Sequence, residues 1–285
     1  IRNADYLVLL SDYESWGNVI TEAKTLHVPC LIKDFPSAKE QIVNNENGII
    51  VQRTLEDYSE VVEKLIERRK ILKDKYFQDS IYCTTAEDFS NGLNNVEVVK
   101  SMLDAGIKII QYREKDNPNK YMREKYDECL KIRELTKEYK ALFIIDDYAD
   151  LAIAVEADGV HIGQKDMPIE AVRKIVGYDK IIGLSTTNEK EAIEAVNTSA
   201  DYIGIGPIFP TNTKPDANKA AGINYLDYVV KNLDIPFVCI GGIKLNNMDI
   251  LIEHKAMSLC MITEIVSSED IKSKCELLIK KMKRL

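Results

Sequence analysis

The stretch that decides the fold lies in the second half of the chain and reads Tyr202-Ile203-Gly204-Ile205-Gly206-Pro207-Ile208-Phe209-Pro210-Thr211-Asn212-Thr213-Lys214. Its apolar start is typical of a buried strand, and Gly206 allows the backbone a close approach to a ligand. The two prolines remove backbone donors, so the run must end as a loop. The hydroxyls of Thr211 and Thr213 and the ammonium of Lys214 can gather on a phosphate. The stretch therefore predicts a strand followed by a phosphate-binding loop, with an ordinary polar loop as the alternative.

Seven further apolar runs flank this one between residues 80 and 263, and helical patterns separate them. The runs are nearly continuous in Val, Ile and Leu, which is typical of parallel strands buried on both faces. Eight such units within residues 80–285 predict a closed (β/α)₈ TIM barrel, with a doubly wound open sheet as the alternative. The predicted strands are Ser80–Thr84, Lys108–Arg113, Ala141–Asp146, Gly159–Gly163, Lys180–Ser185, Tyr202–Phe209, Pro236–Gly242 and Ser258–Thr263. The predicted helices include Val96–Ala105, Lys120–Tyr139, Pro168–Val176, Glu189–Asn197, Leu226–Asn232 and Glu269–Lys283.

Residues 1–75 have a different pattern, with short apolar runs, one turn cluster and a long amphipathic stretch. Thr54 is expected to cap the last helix, with Asp57 three residues later in the place of a capping-box acid. We predict two domains: a partial Rossmann-like α/β fragment over 1–75 and the TIM barrel over 76–285. The fragment's predicted strands are Tyr6–Ser11, Pro29–Ile32 and Gly48–Val51, and its predicted helices are Val19–Leu26 and Thr54–Lys75.

The composition excludes several classes of protein. A net charge of −8 argues against non-specific binding to nucleic acid. No apolar stretch approaches the roughly 20 residues that a membrane span requires. The chain opens with Ile1 and has no signal-peptide pattern, so we expect a fragment or a product whose true start is missing. A monomer and a homo-oligomer both remain open.

The cysteines indicate a reducing compartment. The six cysteines form no Cys-x-x-Cys pair and do not cluster with the three histidines. We therefore expect reduced core thiols in a cytoplasmic protein, and no zinc site.

Polar residues and glycines follow seven of the predicted strands, at the end where TIM barrels carry their chemistry. Acids and bases around phosphate-binding loops suggest a polyphosphate with Mg²⁺, which takes one or two carboxylates and completes its shell with phosphate oxygens and water. Arginine and lysine then neutralise the remaining charge. A second phosphate site is expected after the seventh and eighth strands. The rim residues are Gln111 to Lys115, Asp146, Asp147, His161 to Asp166, Ser185, Thr211 to Lys214, Gly241, Gly242 and Ile262 to Glu264.

Each of these features also has a purely structural interpretation. The two adjacent aspartates at 146 and 147 could cap the following helix, and residues 113–115 could be a solvated charge run. His161 on an apolar strand is more typical of a core histidine bonded to a neighbour. The glycine pair at 241 and 242 could form only a tight turn. These alternatives weaken together, because unrelated surface residues would not all select one rim.

The rim motifs resemble those of the thiamine phosphate synthase family, in family order, over residues 80–285. The resemblance implies a TIM barrel and a transferase. That transferase joins 4-amino-2-methyl-5-hydroxymethylpyrimidine diphosphate to 4-methyl-5-(2-hydroxyethyl)thiazole phosphate and releases thiamine phosphate and pyrophosphate. The matching motifs are Gln111-Tyr112-Arg113-Glu114-Lys115, Ile144-Ile145-Asp146-Asp147, residues 157–166, Gly183-Leu184-Ser185, residues 200–214 and Ile240-Gly241-Gly242-Ile243.

The resemblance also implies roles for individual residues. Family members are thought to pass through a pyrimidine carbocation, so the site mainly positions and stabilises, and Lys214 is expected to assist pyrophosphate departure. Mg²⁺ is the implied cofactor, held by Asp147 and Asp166. The pyrimidine diphosphate would be held by Gln111, Arg113, Lys115, Asp146, Ser185 and Lys214, of which Arg113, Lys115, Ser185 and Lys214 are the catalytic candidates. The thiazole phosphate would be held by Thr211, Thr213, Gly242, Ile262 and Thr263, and Tyr112, Glu114 and Asn212 join the substrate-binding set.

Four positions depart from the family pattern. Asp146 stands where the family commonly has Asn, which adds an anion beside the diphosphate. Lys255 and Ser258 stand where glycines are usual, and Glu264 stands where a small residue is usual.

The front segment resembles a retaining glycosyltransferase of the GT-B type. Glu14 and Glu22 have the Glu-x₇-Glu spacing whose glutamates contact the nucleotide sugar in that family. Only about 75 residues of such a domain are present, so we expect this role to be vestigial and predict no sugar transfer. Two alternative functions remain for the barrel, a thiazole tautomerase and an inactive binding module.

Overall fold

The computed structural model describes residues 7–9, 18–26, 28–33, 42, 48–51, 63–64, 66–114, 120–211 and 219–283, and all structural statements concern these residues. Eight parallel strands, β4 to β11, close into a barrel, which confirms the predicted TIM barrel. Each strand pairs with the next along the chain, and β11 closes the ring on β4. Strands β1 to β3 form a separate parallel sheet in that order. The strands are β1 Leu7–Leu9, β2 Cys30–Lys33, β3 Gly48–Val51, β4 Ser80–Thr84, β5 Ile109–Tyr112, β6 Leu142–Asp146, β7 Gly159–Ile162, β8 Ile181–Thr186, β9 Tyr202–Ile205, β10 Phe237–Ile240 and β11 Ser258–Met261.

Helices follow the barrel strands and cover the outside of the ring. Their starts are fixed locally: Asn94 and Glu97 form a capping box, and Asn188 and Asp270 accept from backbone N–H groups of the following first turns. The α-helices are Asn18–Thr25, Asn95–Asp104, Met122–Glu138, Ala149–Ala154, Ile169–Val176, Glu189–Val196, Gly222–Asn232, Met248–Glu253, Thr263–Val266 and Ile271–Met282. A π-helical turn spans Leu72–Phe77, and a 3₁₀ turn spans Glu87–Phe89.

Three strands end two or more residues before their predicted last residue. Strand β9 ends at Ile205, because Ile208 and Phe209 donate their N–H groups to the carbonyls of Ile240 and Gly241 rather than extending the ladder with β8. Strand β10 ends at residue 240, and β11 ends at residue 261, two residues before a short helix begins. After β9, the apolar residues that were assigned to the strand therefore belong to the loop at its carboxyl end.

The front sheet has its own small core. Ile20 and Ala23 of helix Asn18–Thr25 pack with Cys30 and Ile32 of the central strand. Parallel strands covered by a helix confirm the predicted α/β fragment. The predicted helix cap at residues 54 and 57 lies outside the described residues.

A helical segment over residues 66–77 covers the amino-terminal end of the barrel, which we call the floor. Leu72 and Phe77 are buried in the cluster that fills the barrel interior, beside Tyr82 and Tyr202. Arg68 of the same segment donates from Nε to Asp201 Oδ1 at 2.6 Å. The predicted domain boundary at residue 76 falls inside this segment and stays a prediction. Within the described residues, no helix is long and apolar enough to cross a membrane.

Candidate active site

Most of the predicted site residues are described and lie at or just beyond the carboxyl ends of the barrel strands, which we call the rim. Lys115, Asn212, Thr213 and Lys214 lie outside the described residues, as does Glu14, so their roles stay predictions. Glu22 is exposed on helix Asn18–Thr25 of the front segment, away from the barrel strands in sequence. The described rim residues are Gln111, Tyr112, Arg113, Glu114, Asp146, Asp147, Asp166, Ser185, Thr211, Gly242, Ile262 and Thr263.

Strand β5 sends alternate side chains to opposite sides of the barrel wall. Gln111 points into the barrel, where its Nε2 donates to Tyr82 Oη at 3.2 Å and its Oε1 accepts from Thr84 Oγ1 at 3.2 Å. Arg113 lies two residues further along the same side, with its Nε 3.4 Å from Asp146 Oδ2. The period of two therefore brings Gln111, Arg113 and Asp146 to the mouth of the barrel.

Tyr112 and Glu114 instead point into the layer between the strands and the helices. The Tyr112 hydroxyl donates to Glu128 Oε2 at 2.6 Å, and burial together with this bond raises the pKa of Tyr112. Glu114 Oε1 accepts from the Glu87 N–H at 3.1 Å and from Asn95 Nδ2 at 2.9 Å. Both side chains thus anchor the start of the loop after β5, and the structure does not bring them together with Arg113. Their expected contact with substrate stays a prediction.

Arg113 and Asp146 form a partly buried ion pair. The exposed fraction of the side chain is 13% for Arg113 and 8% for Asp146. The extra anion that the sequence places at position 146 is therefore balanced by the arginine that is expected to bind the diphosphate. Any anionic ligand must share Arg113 with this carboxylate.

The two aspartates expected to hold a metal follow neighbouring strands. Asp147 directly follows β6 in a left-handed conformation with φ of 62°, and its N–H donates to the His161 carbonyl of β7 at 2.8 Å. Asp166 folds back over the end of β7, where its Oδ2 accepts from the Gly163 N–H at 2.8 Å. A Cβ at position 163 would lie 2.9 Å from that oxygen, so glycine leaves room for the carboxylate.

The donor chemistry of these two aspartates fits Mg²⁺. No group of three or more His, Cys, Asp or Glu side chains among the described residues could form a complete metal cage. Two carboxylates beside a rim that is expected to bind phosphate match an ion that binds one or two carboxylates and takes phosphate oxygens and water for the rest.

A chain of side-chain hydrogen bonds runs under the mouth from β8 back to β5. Ser185 Oγ lies 2.9 Å from His161 Nε2, and His161 Nδ1 lies 2.9 Å from Tyr202 Oη. Tyr202 Oη lies 2.9 Å from Tyr82 Oη, which accepts from Gln111. Two predicted substrate-binding residues are thereby joined through the barrel interior.

The loops after β9 and β10 pack closely on each other. A Cβ on Gly241, which has φ of 96°, would lie 2.3 Å from Pro207 Cβ. A Cβ on Gly242, which has φ of 62°, would lie 2.5 Å from the Pro210 carbonyl oxygen. Only glycine fits at both positions, so the loop that leads to Thr211 is held against the glycine pair.

Ile262 and Thr263 begin the short helix after β11, as expected for a second site at this end of the barrel. The next residue, Glu264, points toward Lys274, whose Nζ lies 3.1 Å from Glu264 Oε1. Its charge is therefore compensated within the protein.

Sequence reasoning missed the two tyrosines that support the site. Tyr82 and Tyr202 look like ordinary core aromatics, because each lies within an apolar strand and not at its carboxyl end. The available signal was the period of two: Tyr82 precedes Thr84 by two residues, so both point into the barrel. Which interior side chains meet across the barrel depends on strand register, which no single strand reveals.

Two family models match the chain in separate regions. The model described as thiamine monophosphate synthase matches residues 81–265. The model described as glycosyl transferases group 1 matches residues 1–78. Both resemblances found in the sequence are confirmed, and the matches meet at the end of the floor segment.

Proteins that are similar to the barrel region of this chain are named as thiamine-phosphate synthases or as a thiamine phosphate pyrophosphorylase. The thiamine-phosphate synthase of Pelotomaculum thermopropionicum is 52% identical over 194 residues, which is 68% of this chain and 88% of the relative. That of Dictyoglomus turgidum is 48% identical over 213 residues, which is 75% of this chain and 92% of the relative. The solved structure of thiamine phosphate pyrophosphorylase from Pyrococcus furiosus has a TM-score of 0.65 and 33% identity, and the match covers 76% of this chain and 99% of that one.

Proposed function

This chain belongs to the thiamine monophosphate synthase family, and from that premise we propose how its barrel works. The barrel joins the pyrimidine diphosphate to the thiazole phosphate and releases thiamine phosphate and pyrophosphate. One observation supports the use of this rim: Gln111 and Arg113 of β5, Asp146 of β6 and Ser185 of β8 come from three different strands and converge on the mouth of one closed barrel.

The chemistry requires positioning and charge stabilisation rather than a protein nucleophile. The bond between the pyrimidine methylene carbon and the diphosphate oxygen breaks, and the electron pair leaves with pyrophosphate. The thiazole nitrogen then forms the new carbon–nitrogen bond with its lone pair. Arg113, Lys115 and Lys214 would stabilise the departing anion from fixed positions, which is the usual source of rate enhancement for such a step.

We propose Mg²⁺ as the cofactor, held by Asp147 and Asp166. When bound, the ion would neutralise the negative charge that develops on pyrophosphate. The support is the donor chemistry of two carboxylates that follow adjacent strands at the rim, one of them clasped over Gly163.

The thiazole phosphate would lie between the loops after β9, β10 and β11. The packing of residues 207–210 on Gly241 and Gly242 supports this assignment, because it holds the approach to Thr211 next to the glycine pair. We also propose a cytoplasmic location, supported by six cysteines that are all buried free thiols.

The test uses the full chain with both substrates and Mg²⁺, and measures thiamine phosphate and pyrophosphate. We expect the two products in equal amounts and a loss of both when a chelator removes the metal. Lys214→Ala should lower kcat by about 100- to 1000-fold, because it removes one preorganised charge from the leaving group. A folded chain that forms no thiamine phosphate would favour the binding module, and thiazole isomerisation without coupling would favour the tautomerase.

A further inference from the structure

Three buried side chains have no role in the proposed reaction, yet they join two residues that do. His161, Tyr202 and Tyr82 connect Ser185 on β8 with Gln111 on β5 through hydrogen bonds of 2.9 to 3.2 Å. The links between His161, Tyr202, Tyr82 and Gln111 are buried within the barrel, where an unmatched donor or acceptor would be costly. The direction in which its protons are donated therefore affects both ends.

The amide of Gln111 sets that direction. Its Oε1 accepts from Thr84 Oγ1, which also lies 3.3 Å from Cys260 Sγ, and its Nε2 donates to Tyr82. The Tyr82 hydroxyl then has its own proton to donate onward to Tyr202. The two hydroxyls remain protonated at neutral pH, because burial raises the pKa of each tyrosine above its ordinary value.

The same logic continues to the rim. Tyr202 accepts from Tyr82, so its proton goes to the next partner, His161 Nδ1. The Nδ1 atom must then be the acceptor of the ring, and Nε2 carries the hydrogen that is donated to Ser185 Oγ. Because Ser185 Oγ accepts from His161 Nε2, its own hydroxyl hydrogen is directed away from His161.

Two glycines of the barrel wall, Gly183 and Gly204, leave space for the His161 ring. A Cβ at Gly183 would lie 2.3 Å from His161 Nδ1 and 2.5 Å from Tyr202 Oη. A Cβ at Gly204 would lie 3.2 Å from His161 Cε1. Gly183 on β8 and Gly204 on β9 therefore leave space for the ring, which lies between Tyr202 and Ser185. Gln164 Nε2 also donates to the Ser185 carbonyl at 2.8 Å, which fixes the backbone at the same point.

We propose that His161 is a positioning residue which, as the Nε2–H tautomer, presents the Ser185 hydroxyl as a hydrogen-bond donor to the pyrimidine diphosphate. This inference rests on the proposed function for the contact between Ser185 and substrate. It assigns His161 no contact with substrate and no proton transfer.

Two substitutions at position 161 test the roles of the two ring nitrogens, Nε2 and Nδ1, separately. In His161→Gln the amide reaches toward the position of Nε2 and retains a donor for Ser185, whereas in His161→Asn it reaches only toward the position of Nδ1. We expect His161→Asn to lower kcat/KM for the pyrimidine diphosphate by about 10- to 100-fold, the usual effect of losing a hydrogen bond to a charged group. His161→Gln should recover most of that loss. The matched control is His254→Gln, at a histidine on the outer surface that bonds Asp227, and it should leave the kinetics unchanged.

A double-mutant cycle tests whether His161 acts through Ser185. If it does, His161→Asn combined with Ser185→Ala should be no slower than Ser185→Ala alone, because the second change removes a group that is already absent. Multiplicative losses would mean that His161 has only a structural role, and would overturn the proposal. An unmodified chain that folds but forms no thiamine phosphate would defeat the proposed function instead, so the two failures are distinguishable.

A second measurement needs no activity and no change at position 161. Nitrogen-15 NMR of the protein labelled at histidine reports which ring nitrogen carries hydrogen. The chain has three histidines, so the signals lost in His27→Gln and in His254→Gln leave those of His161 assigned. We expect His161 to carry hydrogen on Nε2 and not on Nδ1. Hydrogen on Nδ1 would reverse the chain, leave Ser185 donating to His161, and overturn the proposal even if the variants fail to fold.

Discussion

The floor and the rim of the barrel manage buried charge in opposite ways. At the floor, the fully buried carboxylate of Asp201 accepts from Arg68 at 2.6 Å, from Arg173 at 2.7 Å and from the Ile182 N–H at 2.8 Å. At the rim, Arg113 and Asp146 stay 3.4 Å apart beside two further aspartates. Contacts at the floor are short and enclose the carboxylate, whereas the ion pair at the rim is longer and lies at the mouth, where the proposed substrates would bind. The difference separates the part of a TIM barrel that stabilises the fold from the part that carries function.

The floor repeats one arrangement at two levels of burial. Asp158 before β7 and Asp201 before β9 each follow an alanine, and each accepts from the backbone of the preceding strand. Each also accepts from an arginine of the helix that comes before that preceding strand, Arg133 and Arg173 respectively. The Asp158 side chain is 28% exposed, whereas that of Asp201 is fully buried. The two sites therefore share one arrangement but differ in burial and in the additional arginine, Arg68, at Asp201.

The largest expected effect is at the floor. Asp201→Ala leaves the buried guanidinium of Arg173 and the partly buried guanidinium of Arg68 without their carboxylate, and should lower the free energy of unfolding by about 3–5 kcal/mol. The matched change Asp158→Ala should cost only about 1–2 kcal/mol, because water can reach the group that remains. Denaturant unfolding of the three proteins measures both losses. Equal losses at the two positions would mean that burial is not what distinguishes them.

The second prediction asks whether residues 66–77 belong to the barrel. Leu72 is buried in the barrel interior although it lies within the glycosyltransferase-like match, so Leu72→Ala should destabilise the barrel by about 2–5 kcal/mol. Its neighbour Ile71 is 44% exposed, and Ile71→Ala should change stability by less than about 0.5 kcal/mol. Hydrogen exchange of the barrel strands is the measurement. Unchanged protection in Leu72→Ala would show that the floor segment is dispensable to the barrel.

The sequence predicted the barrel well because each strand is locally encoded. Parallel strands buried on both faces need continuous apolar runs, and the eight runs lie within a few residues of the observed strands. Polar residues at strand ends also predicted the rim, since parallel strands bring their carboxyl ends together. Strand ends were less certain: residues such as Ile208 and Phe209 are apolar because they pack on the next loop, and apolarity alone does not distinguish loop packing from a ladder.

Other features depend on register and tertiary contacts. The chain from Gln111 to Ser185 requires five strands to align, and local propensity contains no information on that alignment. The floor segment shows the same limit, because an amphipathic pattern identifies a buried face but not what buries it. Tyr112 and Glu114 illustrate a simpler point, since the alternation of side chains along β5 already indicates that they face away from Gln111 and Arg113.

The third prediction makes the same chemical change at both ends of the barrel. At the rim, Asp146→Asn removes an anion that shares Arg113, so the KM for the pyrimidine diphosphate should fall by about 3- to 10-fold, the effect of roughly 1 kcal/mol of repulsion. Stability should change by about 1 kcal/mol or less, because the pair is long and lies at the mouth. Asp201→Asn at the floor should do the reverse, lowering stability and leaving KM unchanged. A higher KM in Asp146→Asn would indicate that the carboxylate itself helps to bind the substrate or its metal.

The smallest effect on stability and on KM is expected at Glu264, a rim residue whose charge is paired within the chain, as the charges at the floor are. Glu264 departs from the family pattern beside the expected thiazole-phosphate site, but its carboxylate is paired with Lys274 at 3.1 Å. Because both groups are partly exposed, Glu264→Gln should change the free energy of unfolding by no more than about 0.5–1 kcal/mol. The KM for the thiazole phosphate should change less than about twofold, since the charge removed is one that the chain has already neutralised.

Lys274→Met supplies the contrast: it exposes the same carboxylate to the incoming phosphate, and should raise that KM more than Glu264→Gln changes it. If the glutamate variant alone lowered KM several-fold, the Glu264 carboxylate would be acting on the phosphate directly, and its ion pair with Lys274 would not neutralise its charge.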